Sequence, residues 1–315
     1  GYDHSCVILN DDTVKCWGGN FYGGLGRNSG HIGDGANEMG NNLPIVNLGS
    51  GKTAKQIATG SHTCVILNDD TVKCWGSNNR GQLGLGDTNN RGLNANDMVN
   101  LPTVDLGTGK TAKQISAKYE STCVILNDDT VKCFGRNSYG QLGLGDTVNH
   151  GASGAGTTSC TTKEMGDCLA TVDVGTGKTV KQVVSSYMHT CALLNDDTVK
   201  CWGRASSGQL GIGDLMGNFN RGDEPNEMGD NLPDGCCYIT GLEYGNVTGT
   251  DGGLAKYPSI SYKPDASFQY ARKVAWEPIA NIYKGVKGEQ GDKGVKGQKG
   301  EQGEYAATQY QGHYS

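Results

Sequence analysis

The sequence predicts an all-β fold assembled from copies of one unit, and three observations carry that reading. A stretch of about 26 residues recurs four times, each copy reads as a β-hairpin, and the composition is turn-rich and poor in apolar residues. The clearest copy is residues 62–87, HTCVILNDDTVKCWGSNNRGQLGLGD. The others are SCVILNDDTVKCWGGNFYGGLG from Ser5, TCVILNDDTVKCFGRNSYGQLGLGD from Thr122 and TCALLNDDTVKCWGRASSGQLGIGD from Thr190. Their leading cysteines, Cys6, Cys64, Cys123 and Cys191, are 58, 59 and 68 residues apart. Fixed units joined by variable connections at this period are solenoids or propellers. Apolar residues make up only 35% of the 315, and 51 are glycine, which suits a turn-rich array better than a helical one.

Within a unit, Val65-Ile66-Leu67 and Val72-Lys73-Cys74-Trp75 are two β-prone runs separated by polar turn residues. A type I turn at Asn68-Asp69, with Asp70 left-handed, sets Leu67 against Thr71 and Ile66 against Val72. Cys64 then falls opposite Cys74 at a non-hydrogen-bonded position, where the close approach of the strands suits a bridge. A tighter two-residue turn offsets the cysteines by one residue, so the spacing leaves two registers open. After the second strand, Trp-Gly and Gly-Gln-Leu-Gly-x-Gly-Asp supply sharp turns that only small residues fit.

The hydrophobic strand, acidic turn, Trp-Gly and Asn-x-x-Gly-Gln-Leu-Gly resemble the regulator of chromosome condensation repeat family, over roughly residues 1–240. The resemblance implies a β-propeller of four-stranded blades, most often seven in a ring. Two features depart from it. Only four copies are present, and the first lacks the lead-in found as GKTAKQIATG from Gly51, GKTAKQISAK from Gly109 and GKTVKQVVSS from Gly177. The expectation is a longer chain whose upstream repeats complete the ring. A four-bladed ring, or one completed by another subunit, is the alternative.

Eight of the twelve cysteines form four pairs ten positions apart. The expected bridges are Cys6–Cys16, Cys64–Cys74, Cys123–Cys133 and Cys191–Cys201, with Cys160–Cys168 in the one long insertion. The pairing of Cys236 and Cys237 is left open. This usage points to an oxidising, extracellular or surface-exposed setting. Zinc fits poorly, because no pair is Cys-x-x-Cys and no histidine recurs at ligand distance. The net charge of −6, with no basic patch before the C-terminal tail, argues against nucleic acid. No apolar run approaches the ~20 residues that span a bilayer.

Binding is expected in the connections at residues 31–44, 89–102 and 219–233, and in the polar insertion from His150. Arg221-Gly222-Asp223 is an adhesion tripeptide by composition, but Arg91-Gly92-Leu93 holds the same place in another copy, so it reads as repeat sequence. Asp223, Glu224, Glu227 and Asp230 are candidate calcium ligands whose spacing does not match an EF-hand loop. No cofactor is otherwise implied. His4, His62 and His189 share a column with Ser121, and Trp17, Trp75, Trp202 with Phe134. Such columns read as packing. No Ser/His/Asp arrangement or phosphate loop is present, so the chain reads as a non-enzyme.

The divisions expected are propeller repeats at 1–233, a neck or linker at 234–284, a collagen-like tract at 285–305 and a tail at 306–315. The neck holds a glycosylation triplet at Asn246 and a helical stretch at 266–276. In the third segment Gly285, Gly288, Gly291, Gly294, Gly297, Gly300 and Gly303 recur at every third position. Only glycine fits the axis of a collagen triple helix, so this phase is its mark. The proline-free, Lys/Glu-rich text resembles collagen-like segments of viral, phage and bacterial fibres. Lys287-Gly288-Glu289 and Lys299-Gly300-Glu301 place opposite charges for pairing between chains, each exposed pair adding about 0.5 kcal/mol.

Together these features predict an extracellular fibre or appendage subunit with propeller heads on a trimeric stalk, on a virion or a microbial surface. The expected partners are copies of itself and a surface protein or glycan. A secreted single-partner binder or inhibitor is the alternative. An intracellular nucleotide-exchange factor for a small GTPase, which the resemblance also implies, conflicts with the paired cysteines.

Overall fold

The computed structural model describes residues 1–28, 30–94, 96–152, 165–213 and 220–235, and the backbone of four short strands between 242 and 260. The chain divides into two units, Gly1–Lys263 and Pro264–Ser315. The second unit lies outside the described residues. So do most of the long insertion, Cys160, Cys236, Cys237, the 266–276 stretch and all seven Gly-X-Y glycines.

Each repeat builds one antiparallel blade. Blade 1 is β1 (His4–Ile8) and β2 (Val14–Gly18). Blade 2 is β3 (Ala54–Thr59), β4 (His62–Leu67) and β5 (Val72–Gly76), in the order β3-β4-β5. Blade 3 repeats this with β6 (Ala112–Lys118), β7 (Ser121–Leu126) and β8 (Val131–Gly135), and blade 4 with β9 (Val180–Ser185), β10 (His189–Leu194) and β11 (Val199–Gly203). The fourth strand of a blade is present as a returning chain. After β2, β5 and β8 the returning chain bridges the strand end at Gly18–Ile32, Gly76–Arg91 and Gly135–His150, and bonds again from Val46, Val104 and Val172 to the carbonyls of Val14, Val72 and Val131. Farther on, β12 (Leu242–Glu243) pairs with β15 (Ser259–Ile260), and β13 (Asn246–Thr248) with β14 (Leu254–Lys256).

Turn chemistry decides the register. Asp12, Asp70, Asp129 and Asp197 take φ of 59°, 62°, 63° and 65°, the left-handed conformation that aspartate tolerates. Leu67 then donates to the Thr71 carbonyl, Ile66 lies opposite Val72 and Cys64 opposite Cys74. The wider turn therefore wins over the two-residue one. Cys6–Cys16, Cys64–Cys74, Cys123–Cys133 and Cys191–Cys201 are bridged, each with Cα atoms 4.1 Å apart. Cys168 is disulfide-bonded as well.

The core lies between blades rather than within them. Val14, Leu25 and Val46 of blade 1 pack on Val65, Leu67 and Trp75 of blade 2, and equivalent clusters join blades 2 to 3 and 3 to 4. The consequence is visible strand by strand. β4 and β7 are buried at every position, because a blade covers each face. β1 and β10, at the two ends of the array, alternate between covered and uncovered positions.

A polar relay crosses the same joints. The Thr63 hydroxyl donates to the Gly24 carbonyl (2.9 Å) and that of Thr122 to the Gln82 carbonyl (2.8 Å). Each hydroxyl proton is therefore spent, so His4 Nε2 and His62 Nε2 must donate to these oxygens, both at 2.7 Å. The rings are held neutral by burial, which lowers the pKa of His4 to about 4 and of His62 to about 3. In the unfolded chain histidine takes a proton from about pH 6.5 downward. The stability contributed by the neutral rings is thus complete above pH 6.5 and is lost as pH falls toward 4 and 3. Asp69 and Asp128, held at about 2 by bonds from Lys52 and Lys110 and from threonine hydroxyls, add their loss only below about pH 4. Thermal midpoints should fall steadily from pH 6.5 to pH 4.5. A flat profile across that window would contradict the relay.

The lysines that precede the second cysteine of each hairpin pin the long connections. Lys15, Lys132 and Lys200 donate to the Gly40, Gly166 and Gly229 carbonyls at 2.7, 2.6 and 2.7 Å, and Lys73 to Leu48 at 3.0 Å. A buried ammonium that donates to carbonyl oxygens in this way has its protons satisfied mainly by the backbone.

Candidate functional site

The two ends of the blades differ in chemistry. At one end lie the Asn-Asp-Asp turns. Their aspartates pair with lysines of the neighbouring inner strand: Lys52 with Asp69, Lys55 with Asp70, Lys110 with Asp128, Lys113 with Asp129, Lys178 with Asp196 and Lys181 with Asp197. These pairs are a third or more exposed on at least one side, so each stabilises by only about 0–1 kcal/mol.

The opposite end is aromatic. Here the chain turns from inner to middle strand, and the turn position is Tyr2, Gly60, Tyr119 and Tyr187 in the four copies. Tyr119 takes φ 53°, which an aromatic residue rarely adopts. Its carbonyl accepts from Ser61 N–H (2.8 Å), and its ring stands 4.2 Å from Tyr187 and 6.2 Å from Tyr2, centroid to centroid. Gly60 has to be small, since a Cβ there would lie 2.7 Å from the Tyr119 nitrogen. The Arg136 guanidinium sits 5.6 Å over Tyr119 and pairs with Glu120 at 3.1 Å, and Arg204 sits 5.3 Å over Tyr139. A hydrogen bond with Tyr187, and then burial, raise the Tyr119 pKa, keeping the phenol neutral.

Among the described residues the exposed large aromatics are Tyr2 (70%), Phe21 (62%), Tyr22 (51%) and Tyr187 (46%), and all four stand at this end. Between them a cleft of about 260 Å³ is lined by Tyr2, Asp3, Phe21, Tyr22, Tyr119 and Glu120. It is smaller than the ~300–1,000 Å³ of sites that enclose a small molecule. Flat rings, oriented guanidinium groups and a shallow floor suit an extended ligand lying across the rim.

The connections expected to bind do other work. Gly222 of the Arg221-Gly222-Asp223 tripeptide packs on blade 3, and a Cβ added there would lie 2.9 Å from the Gly140 carbonyl oxygen. Gly92 and Gly151 meet Gly23 and Gly81 in the same way. The tripeptide is a joint between blades, as its repeat position implies. The candidate calcium ligands Glu227 and Asp230 are engaged in hydrogen bonds of the connecting loops. Glu227 accepts from the Asp223 and Glu224 N–H groups, and Asp230 from Thr176, while Glu38 and Asp97 cap their own loops as Glu227 does. Among the described residues no group of three or more His, Cys, Asp or Glu is arranged to hold a metal. His4 and His62 of the His column form the relay, Trp75 and Trp202 donate to the Gly24 and Gln141 carbonyls across the joints, and Asn246 opens β13.

The tyrosine column lies two residues before the His/Ser column and carries no local motif that marks it as a surface. The signal was present: one repeat position is tyrosine in three copies of four.

Hairpin-centred antiparallel blades packed face to face define a β-propeller. The regulator of chromosome condensation (RCC1) repeat matches residues 1–23, 55–82, 112–141 and 180–209, with a second match over 69–125. The chain is 28% identical to the ultraviolet-B receptor UVR8 of Arabidopsis thaliana over 68% of its own length and 42% of the receptor's. It is 26% identical to the X-linked retinitis pigmentosa GTPase regulator homolog of Caenorhabditis elegans, over 65% of this chain and 13% of that one. To the probable E3 ubiquitin-protein ligase HERC4 of Mus musculus it is 27% identical over 68% of this chain and 18% of that one. The chain thus spans less than half of each relative. Yeast RCC1 (Prp20), solved bound to Kap60, shares the fold with a TM-score of 0.51 at 18% identity, over 78% of this chain and 49% of that one.

Proposed function

We propose that this chain is a non-enzymatic, extracellular binding and structural protein. Its propeller blades present the aromatic rim to a surface glycan or protein, and its Gly-X-Y tract gathers copies into a trimeric stalk of a fibre or appendage. The observation that carries the reading is the bridge repeated at one position in all four hairpins, since such bridges persist only where thiols are not kept reduced. The rim supports the binding half, because aromatic faces stack on sugar rings and on extended peptides with little entropy cost. Three heads on one stalk raise avidity even when each head binds weakly.

Alkylation of the native chain without reductant, followed by mass measurement, should find the eight hairpin cysteines blocked. Twelve free thiols would move the reading to an intracellular regulator, the class to which the GTPase regulator homolog's name points. Molar mass in solution should be that of a trimer, and Gly294→Ser, which puts a side chain at the crowded axis, should shift it toward monomer. On a glycan and cell-surface-protein panel, Tyr119→Ala and Tyr187→Ala should each weaken the strongest signal by tenfold or more. Binding untouched by both would remove the rim from the proposal.

A further inference from the structure

The four hairpin bridges each lie within one blade, so none of them ties a blade to the next. Between blades 3 and 4 two tyrosines meet. Tyr119 and Tyr187 hold the same position in their repeats, and their ring centroids are 4.2 Å apart with planes 37° from parallel. That is closer than the ~4.5–7 Å at which aromatic pairs usually settle. The two phenols are hydrogen-bonded to each other. Both rings therefore point the same way, with their hydroxyls and the ring edges that flank them side by side.

The surroundings enforce this contact. Tyr119 takes φ 53°, a left-handed conformation that a bulky residue keeps only where its neighbours over-determine it. Ser61 N–H holds its carbonyl at 2.8 Å, and Gly60 leaves the room that a Cβ would take. The Arg136 guanidinium lies 5.6 Å over the Tyr119 ring and is itself fixed by Glu120 at 3.1 Å. Tyr187 is 46% exposed, so a small oxidant reaches the pair. Tyr2, in the same column, stands 6.2 Å from Tyr119 at 57°, farther off and more steeply inclined.

We propose that Tyr119 and Tyr187 are an oxidative modification site, at which a dityrosine cross-link joins blade 3 to blade 4. The oxidant is hydrogen peroxide, spent through a peroxidase. Each phenol gives up one electron and its O–H proton, and the two radicals join by one new C–C bond between ortho carbons. Each of those carbons then releases its hydrogen as a proton, and each oxygen regains one. Two aromatic C–H bonds and the peroxide O–O bond are broken, and peroxide leaves as two waters. Rings already held in contact turn the encounter of two radicals into an intramolecular step. The cross-link needs no rim ligand, and it draws on the extracellular reading only for access to peroxide.

The test is brief treatment of the intact, disulfide-bonded chain with peroxidase and hydrogen peroxide. Denaturing separation of single chains, reduction, alkylation, trypsin digestion and peptide mass measurement follow. Residues 119–132 and 182–200 are tryptic peptides with one tyrosine each. They should appear joined, at their summed mass less two hydrogens, and at tenfold or more over any product joining Tyr2, Tyr22 or Tyr139. Unfolding the chain in urea before oxidation should cut this product tenfold or more. Tyr119→Phe and Tyr187→Phe should each abolish it while leaving the circular dichroism spectrum unchanged, since phenylalanine keeps the ring and removes the O–H. Absence of the joined peptide, equal yield from the unfolded chain, or its occurrence only in covalent dimers of the chain would each overturn the proposal.

Discussion

Trp75→Ala should lower the stability of the propeller unit by about 3–5 kcal/mol, while Trp17→Ala, the same residue in the same repeat position, should cost about 1 kcal/mol. Trp75 is 0% exposed, fills the joint between blades 1 and 2, and donates its indole N–H to Gly24 at 3.0 Å. Its removal leaves a cavity walled by Leu25, Val46 and Leu67, which belong to two blades and cannot close together without breaking the Gly23–Gly92 contact. Trp17 faces away from blade 2 and stays half-buried, so water refills what its removal opens. The Gly24 carbonyl still accepts from Thr63 in the variant, so the loss is one of packing. Urea unfolding followed by far-UV circular dichroism measures both variants. Equal losses would mean that the joint is not where the stability resides.

Reduction should proceed from the ends of the array inward. Closing a loop of this length stabilises by about 3 kcal/mol in the chain-entropy account, so four bridges hold a large share of a marginal stability. Access sets the order in which they are lost. Cys64, Cys74, Cys123 and Cys133 are 0% exposed, whereas Cys6 and Cys191 face the uncovered sides of the end blades and are partly exposed. Under mild dithiothreitol with timed alkylation and peptide mass analysis, Cys6–Cys16 and Cys191–Cys201 should label first. The two central bridges should label only together with loss of the circular dichroism signal, because their exposure needs the blades to part. Labelling of all four at one rate would show that the blades open independently.

The four hairpins and their cysteine pairs were legible in the residues themselves, and the register was narrowed to two, between which the structure decided. A left-handed aspartate after Asn-Asp, two β-prone runs and a ten-residue cysteine spacing are local facts, and strand pairing across a short turn is a local interaction. The same locality explains why Arg221-Gly222-Asp223 could be read as repeat sequence, since Arg91-Gly92 stood at its place. What lay beyond the sequence depends on residues some sixty positions apart. The fourth strand that the resemblance implied is present as a returning chain, which bridges Gly18, Gly76 and Gly135 through Ile32, Arg91 and His150 and bonds again at Val46, Val104 and Val172, where its leucines and valines enter the core between blades. Nothing local says that Lys73 and Lys132 are buried on carbonyls, or that His62 is neutral because the Thr122 hydroxyl is already committed to Gln82. The tyrosine rim is of this kind. Tyr2, Tyr119 and Tyr187 are isolated side chains in three separate turns, and only the face-to-face packing of successive blades makes them one surface.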